Sequence, residues 1–131
     1  MKRVLFVCVE NSCRSQIAEA FARMHGAGIV EPSSAGSKPS GQVNLKAVES
    51  MRELGYDLSK HGSKSLADIP AIEYDVAVTM GCGDGDACPS VRAKRREEWA
   101  IPDPKTMAPE EFRAVRALIQ WKVQELLAGL A

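Results

Sequence analysis

A chain of 131 residues with 45% hydrophobic content is sized for one compact domain with its own core, and residues 1–131 are read as a single domain. Seventeen basic residues balance seventeen acidic ones, so no net field draws the chain toward nucleic acid or a membrane surface, and a small molecule or a transient protein contact is the expected partner. No apolar run approaches the roughly 20 residues that span a bilayer, and the start lacks a long apolar stretch ending in a cleavage site, so a cytoplasmic location is expected.

Lys2 to Cys8 is β-rich and almost continuously apolar, which suits a central parallel strand covered on both faces. From Ser15 to His25 the residues Ile17, Ala18, Phe21, Ala22 and Met24 recur at helical spacing, and Gly26 and Gly28 supply a stop. Ile29 to Ser34 reads as a second strand. After a loop from Gly36 to Gly41, Val43, Ala47, Val48, Met51 and Leu54 share one face of a helix closed by Gly55. Tyr74 to Met80 is a buried-type strand, Glu98 to Ile101 a further strand, and Pro109 to Leu127 a terminal helix opened by proline in its first turn. The order β-α-β-α-β-β-α predicts an α/β fold: a doubly wound, mainly parallel four-stranded sheet with helices on both faces. Ligands of such sheets bind beyond the carboxyl ends of the strands, where Cys8 falls.

Four cysteines in a chain without a signal peptide point to redox or metal chemistry rather than to structural disulfides. Cys8 and Cys13 lie five apart and Cys82 and Cys88 six apart, neither being the spacing of a zinc knuckle; with only His25 and His61 to complete a site, no metal is expected. The segment Cys8-Val9-Glu10-Asn11-Ser12-Cys13-Arg14-Ser15 has a different logic. A loop of this length turning into a helix aims backbone N–H groups of residues 9–14 inward, and the helix amino terminus adds positive potential, making a cradle for a tetrahedral oxyanion. Arg14 can clamp two of its oxygens. The same field stabilises a thiolate on Cys8, to which Ser15 can donate a hydrogen bond, so nucleophile and anion site coincide. A buried cysteine followed by an unrelated exposed arginine is the bland alternative, and the strand-loop-helix context disfavours it.

Two further segments carry chemistry. Asp103 stands between Pro102 and Pro104, which stiffen the backbone and suit a positioned carboxyl, although Asp-Pro is also a common turn pair. Cys82 and Cys88 enclose Gly83, Asp84, Gly85, Asp86 and Ala87 after Gly81, and glycine permits a segment that carries Cys82 toward Cys8 and later lets it pair with Cys88. A structural pair of cysteines is the alternative; a calcium loop is disfavoured because the later glutamate is missing.

The pattern of cysteine, five residues, arginine and serine resembles the anion loop of the low-molecular-weight protein tyrosine phosphatases, whose doubly wound fold has this order of elements. Asn11 to Gln16, Asn-Ser-Cys-Arg-Ser-Gln, is more similar to the arsenate reductases that share the fold. The Met80-Gly81-Cys82-Gly83-Asp84 and Cys88-Pro89 segments resemble those of the arsenate reductases coupled to thioredoxin, and of a related branch that uses a low-molecular-weight thiol. The resemblance covers essentially the whole chain. It implies that Cys8 attacks arsenate, that Asp103 is the acid assisting loss of an oxygen ligand, that Cys82 attacks Cys8 and expels arsenite, and that Cys88 then attacks Cys82 to leave a disulfide for thioredoxin to reduce. It implies no tightly bound cofactor, a role in arsenic detoxification, and phosphatase activity at most on the side. Reduction finished by a small thiol, or a phosphatase of the same fold, are the alternatives.

Lys105 stands where the phosphatases usually carry an aromatic residue after the Asp-Pro pair, which argues for a small inorganic anion. Some relatives hold a potassium ion at positions corresponding to Asn11, Glu19, Ser34 and an aspartate that is here Lys64. An ammonium there would repel a cation and is expected to stabilise the loop instead. Cys13 is assigned a structural or protective role, and His25 and His61 are read as surface or satisfied histidines.

Overall fold

The computed structural model describes residues 1–81 and 91–131. Strand β1 (Lys2–Cys8) occupies the middle of a wholly parallel four-stranded sheet, flanked by β2 (Val30–Gly36) on one side and by β3 (Tyr74–Met80) and then β4 (Ala93–Trp99) on the other. Val4, Leu5, Phe6 and Val7 are fully buried, as a continuous apolar run requires when both faces of a strand are covered. Each such side chain contributes about 1.5–3 kcal/mol.

Helices α1 (Arg14–His25), α2 (Leu45–Arg52) and α3 (Pro109–Leu130) share one core with the Val4 and Phe6 face of the sheet. Ile17 and Phe21 from α1, Met51 from α2 and Ile119 and Val123 from α3 meet there. Phe6 also packs against Trp99 with ring centroids 5.9 Å apart, tying the carboxyl end of β4 to that of β1 across β3. The Leu5 and Val7 face is covered by a short 3-10 turn, Leu66–Asp68, with Ile69, Ile72 and Val91. The chain crosses from β1 to β2 in one direction and from β2 back over β1 to β3 in the other. The winding therefore reverses direction at β1, as in a doubly wound sheet.

The expected α/β class with a four-stranded parallel sheet is the observed one, but the helices expected on both faces are unevenly shared. Among the described residues all three α-helices lie in the Val4 and Phe6 core and the other face has the 3-10 turn, and element boundaries shift. Helix α2 starts two residues later than its apolar pattern, because Asn44 caps it by accepting a hydrogen bond from the Lys46 N–H at 2.8 Å. Strand β2 runs on to Gly36, pairing with Cys8. The fourth strand was expected at Glu98 to Ile101 and lies at Ala93–Trp99. Its sequence is charged because it is an edge strand with one exposed face, and apolar periodicity therefore points only to its buried end, Trp99. The reversal of crossover direction leaves a crevice at the carboxyl end of β1, beside β3, and the loop after Cys8 turns into it.

Candidate active site

Between β1 and α1, residues 9–13 form a tight loop whose carbonyls are engaged from outside. Val9 O accepts from Lys38 N at 2.8 Å, Glu10 O from Ser40 N and Ser63 Oγ at 3.0 Å, Asn11 O from Gln16 Nε2 at 3.1 Å, and Ser12 O from Asn44 N at 3.0 Å. In a planar trans peptide the next N–H points the opposite way, so the amides of residues 10–13 are turned toward the inside of the loop. Gly36 makes this closeness possible: a Cβ there would lie 2.5 Å from Val9 O and 2.9 Å from Asn11 N.

Asn11 is fully buried and adopts φ +49°, a conformation unusual for a residue with a side chain and more accessible to asparagine than to most. Its side chain accounts for the strain. Asn11 Nδ2 donates to Ser15 Oγ at 2.8 Å, while Asn11 Oδ1 accepts from Gln16 Nε2 and from Lys64 N, both at 2.8 Å. Ser15 Oγ in turn lies 2.8 Å from Cys8 Sγ. Behind Gln16, its Oε1 is 3.0 Å from His61 Nδ1, and His61 Nε2 is 2.6 Å from Tyr56 Oη. One assignment of protons satisfies every link: Tyr56 donates to His61, His61 to Gln16, Gln16 to Asn11, Asn11 to Ser15, and Ser15 to the sulfur of Cys8. It requires a neutral His61 protonated on Nδ1, and burial does push the imidazole below its ordinary value of 6.5, outweighing the opposing pull of Glu19. Burial likewise raises the Tyr56 phenol and keeps it a donor.

The cleft at the mouth of the loop has a volume of about 300 Å³ and is lined by Cys8, Val9, Glu10, Ser12, Cys13, Arg14, Gly81 and Asp103. Arg14 donates from one Nη to Ile101 O at 3.0 Å, and its other Nη stands 3.9 Å from Asp103 Oδ2. Gly81 closes over the guanidinium: a Cβ built there would fall 1.6 Å from Arg14 Nη1, and its φ is +65°. Cys13 is buried, its thiol pushed up to about 12 chiefly by burial and then by the charges of Asp103 and Cys8. A cleft of similar volume between α2 and α3, lined by Lys46, Ser50, Phe112 and Arg113 among others, contains no cysteine and no comparable loop.

The structure thus brings together Cys8, Arg14, Ser15 and Asp103 with Val9 to Cys13. Cys82 and Cys88, expected as the disulfide pair, lie outside the described residues. Sequence reasoning missed Gln16, Gly36 and Gly81 as supports of the loop, and it read His61 as a satisfied histidine without seeing that its partners lead to Cys8. The only local signals were Gln16 beside Ser15 and a glycine ending each strand that flanks β1.

At the positions associated with potassium, the buried Glu19 carboxylate accepts from Ser34 Oγ at 2.6 Å and Arg23 Nε at 2.9 Å, with Lys64 Nζ 3.9 Å away. Lys64 Nζ also donates to Gly62 O at 2.9 Å. Two tethered cations already balance the carboxylate, so these residues do not fit a further cation.

A parallel sheet ordered β2-β1-β3-β4, with a cysteine loop at the end of β1 and an arginine and an aspartate closing over it, defines a phosphatase-like oxyanion site. The chain belongs to the low molecular weight phosphotyrosine protein phosphatase family, which matches residues 3–131. Within that family it is similar to arsenate reductases. It is 38% identical over 132 residues to the glutaredoxin arsenate reductase of Synechocystis, covering 100% of each chain. It superposes with a TM-score of 0.88, at 36% identity and 100% coverage of both chains, on an arsenate reductase solved in a phosphate-binding state. A thioredoxin-dependent arsenate reductase of Corynebacterium glutamicum is 32% identical with a TM-score of 0.79, over 99% of this chain and 62% of that one.

Gly81→Ala is expected to displace the Arg14 guanidinium and raise the inhibition constant of inorganic phosphate about tenfold, the loss of one charge-assisted hydrogen bond; an inhibition constant equal to the parent's would refute the contact. The neutral His61 also has a pH consequence. Because its folded-state pKa is depressed, the unfolded chain takes up the proton first, so this contribution to stability is full above 6.5 and falls as pH drops toward the lower folded value. In urea titrations from pH 7.5 to 5, His61→Gln should start about 1–3 kcal/mol less stable and lose less on acidification than the parent. Parallel losses in the two proteins would show that His61 is not held neutral.

Proposed function

We propose that this chain reduces arsenate to arsenite, with Cys8 as nucleophile, Arg14 and the inward amides of the loop as the oxyanion cradle, Asp103 as general acid, and Cys82 and Cys88 as a disulfide relay. The observation that carries the reading is the cysteine sulfur 2.8 Å from Ser15 Oγ inside a cleft of about 300 Å³, at the end of a strand in a chain similar along its whole length to arsenate reductases. Cys8 thiolate attacks the arsenic of arsenate while Asp103 delivers a proton to a departing oxygen, which leaves as water and produces a sulfur–arsenic bond. Cys82 thiolate attacks the Cys8 sulfur; the sulfur–arsenic electron pair passes to arsenic, which departs as arsenite, and a Cys8–Cys82 disulfide remains. Cys88 thiolate then attacks Cys82, freeing Cys8 and forming Cys82–Cys88, which a dithiol donor reduces. Ser15, oriented by the chain of donors behind it, donates to the sulfur of Cys8 and stabilises the negative charge that returns to it when it leaves.

The donor is proposed to be a thioredoxin, as the Corynebacterium protein's name states for that enzyme. A second reading, completion by a small thiol with glutaredoxin, is favoured by the name of the Synechocystis relative. Either chemistry suits a reducing, cytoplasmic compartment; no helix among the described residues is long and apolar enough to cross a membrane. Hydrolysis of phosphate esters is a side activity of the shared loop and acid.

Arsenate-dependent NADPH oxidation should be supported by thioredoxin with its reductase, and glutathione with glutaredoxin run in parallel separates the two donors. With thioredoxin, Cys88→Ser should release about one arsenite per enzyme and accumulate a Cys8–Cys82 disulfide, the burst of a relay that cannot reset. Multiple turnover by Cys82→Ser would remove the relay and return the chain to the phosphatase class.

A further inference from the structure

Glu10 sits in the anion loop itself, a carboxylate at the rim of a cleft shaped for an anion, and its charge is answered by a residue 95 positions away. Lys105 Nζ donates to both Glu10 oxygens, at 2.9 and 3.0 Å. Both ends of this bridge are fixed through the backbone. Glu10 O is held by Ser40 N and Ser63 Oγ, and Lys105 O accepts from Lys46 Nζ at 3.2 Å. The Lys105 N–H also donates to Asp103 Oδ1 at 3.0 Å, which ties the bridge to the proposed acid.

On the far side of Glu10 and Ser12 lies a second groove of about 440 Å³, walled by Ser40, Gln42, Val43, Leu45 and Lys46 and reaching Lys105. Glu10 and Ser12 line both spaces and Lys105 lines the groove, so Glu10 forms the wall between cleft and groove and is held from the groove side by Lys105. For attack in line from Cys8, the departing oxygen must lie toward Asp103. In a free oxyanion that oxygen carries only a proton; in an ester it carries a carbon group, and the space that adjoins the cleft past Glu10 and Ser12 is the groove that Lys105 lines.

We propose that the Glu10–Lys105 ion pair is the specificity element of the site, a bar beside the groove that favours free tetrahedral oxyanions over organic esters, which react only as a side activity. This deepens the proposed function and rests on it for the choice of natural substrate. The pair is half-exposed, with Glu10 38% and Lys105 50% accessible, so as a surface ion pair it adds little to stability. Its value is steric and electrostatic: it fills the exit an ester would need, and it cancels a carboxylate that would otherwise repel a dianion. The mutual bond raises the Lys105 pKa, so the bar persists through the neutral range.

The test measures kcat/KM for p-nitrophenyl phosphate and the inhibition constant of inorganic phosphate in the parent, Lys105→Ala, Lys105→Arg and the double variant Glu10→Gln with Lys105→Ala. The double variant should shift discrimination toward the ester by at least about tenfold, the scale of a relieved steric exclusion, while Lys105→Arg keeps the bar and stays near the parent. Lys105→Ala alone leaves Glu10 unpaired and should weaken phosphate binding severalfold, a loss the double variant recovers. Unchanged discrimination in the double variant, or phosphate inhibition in Lys105→Ala equal to the parent's, would overturn the proposal. Neither reading needs arsenate or a reductant, so a parent that fails to reduce arsenate would sink the proposed function and leave the ion pair to be decided by these numbers.

Discussion

The site depends on a buried asparagine in a backbone conformation that few other side chains tolerate. Asn11 holds φ +49° because its amide is spent on both sides, donating to Ser15 and accepting from Gln16 and from the Lys64 amide. A left-handed residue at this point costs on the order of 1–2 kcal/mol for an ordinary side chain, and the bonds made by Asn11 offset that strain. The same bonds set the turn of the loop, hence the inward facing of the amides that follow and the position of Ser15 against Cys8. Substitution at Asn11 would therefore reach the proposed anion cradle and the proposed nucleophile together.

Around that residue the protein spends buried polarity freely yet leaves little unmatched. Asn11, Ser12, Ser15, Gln16, Glu19 and Ser34 are all buried, and each polar side chain has partners. Glu19 is balanced by Arg23 and Lys64, so the chain supplies its own cations beneath the loop. Above the loop Arg14 faces Asp103 inside the cleft, and Lys105 holds Glu10 from the neighbouring groove. A fixed set of opposed charges of this kind can receive a tetrahedral anion without reorganising.

The fold was legible in the sequence because its strongest signals are periodic and local. The apolar run Val4 to Val7, the helical spacing of Ile17 and Phe21, and the proline at the start of the last helix each named an element that is present. β4 was displaced in the sequence reading because Lys94 to Glu98 carry the charges of an exposed edge, and a half-solvated strand does not display a buried pattern. Cys8, Arg14 and Asp103 could be singled out because their spacing and flanking residues have a chemical reason. Gly36, Gly81 and the path from Tyr56 through His61 and Gln16 could not, since their roles depend on which distant segments the sheet brings together: Gly36 against the turn after Cys8, Gly81 against Arg14, His61 against a helix 45 residues earlier. Lys105 was noticed for what it is not, an aromatic, and only the packed structure gives it a partner.

The proposed nucleophile and the loop around it both depend on Asn11. Alkylation of Cys8 by iodoacetamide, located by peptide mass and followed with and without inorganic phosphate, reads the nucleophile and the anion cradle in one experiment. In the parent, phosphate should protect Cys8; in Asn11→Ala the loop loses its turn, and protection at the same phosphate concentration should be largely lost. Full protection in Asn11→Ala, with Cys8 modified at the parent's rate, would contradict the claim that Asn11 holds the loop.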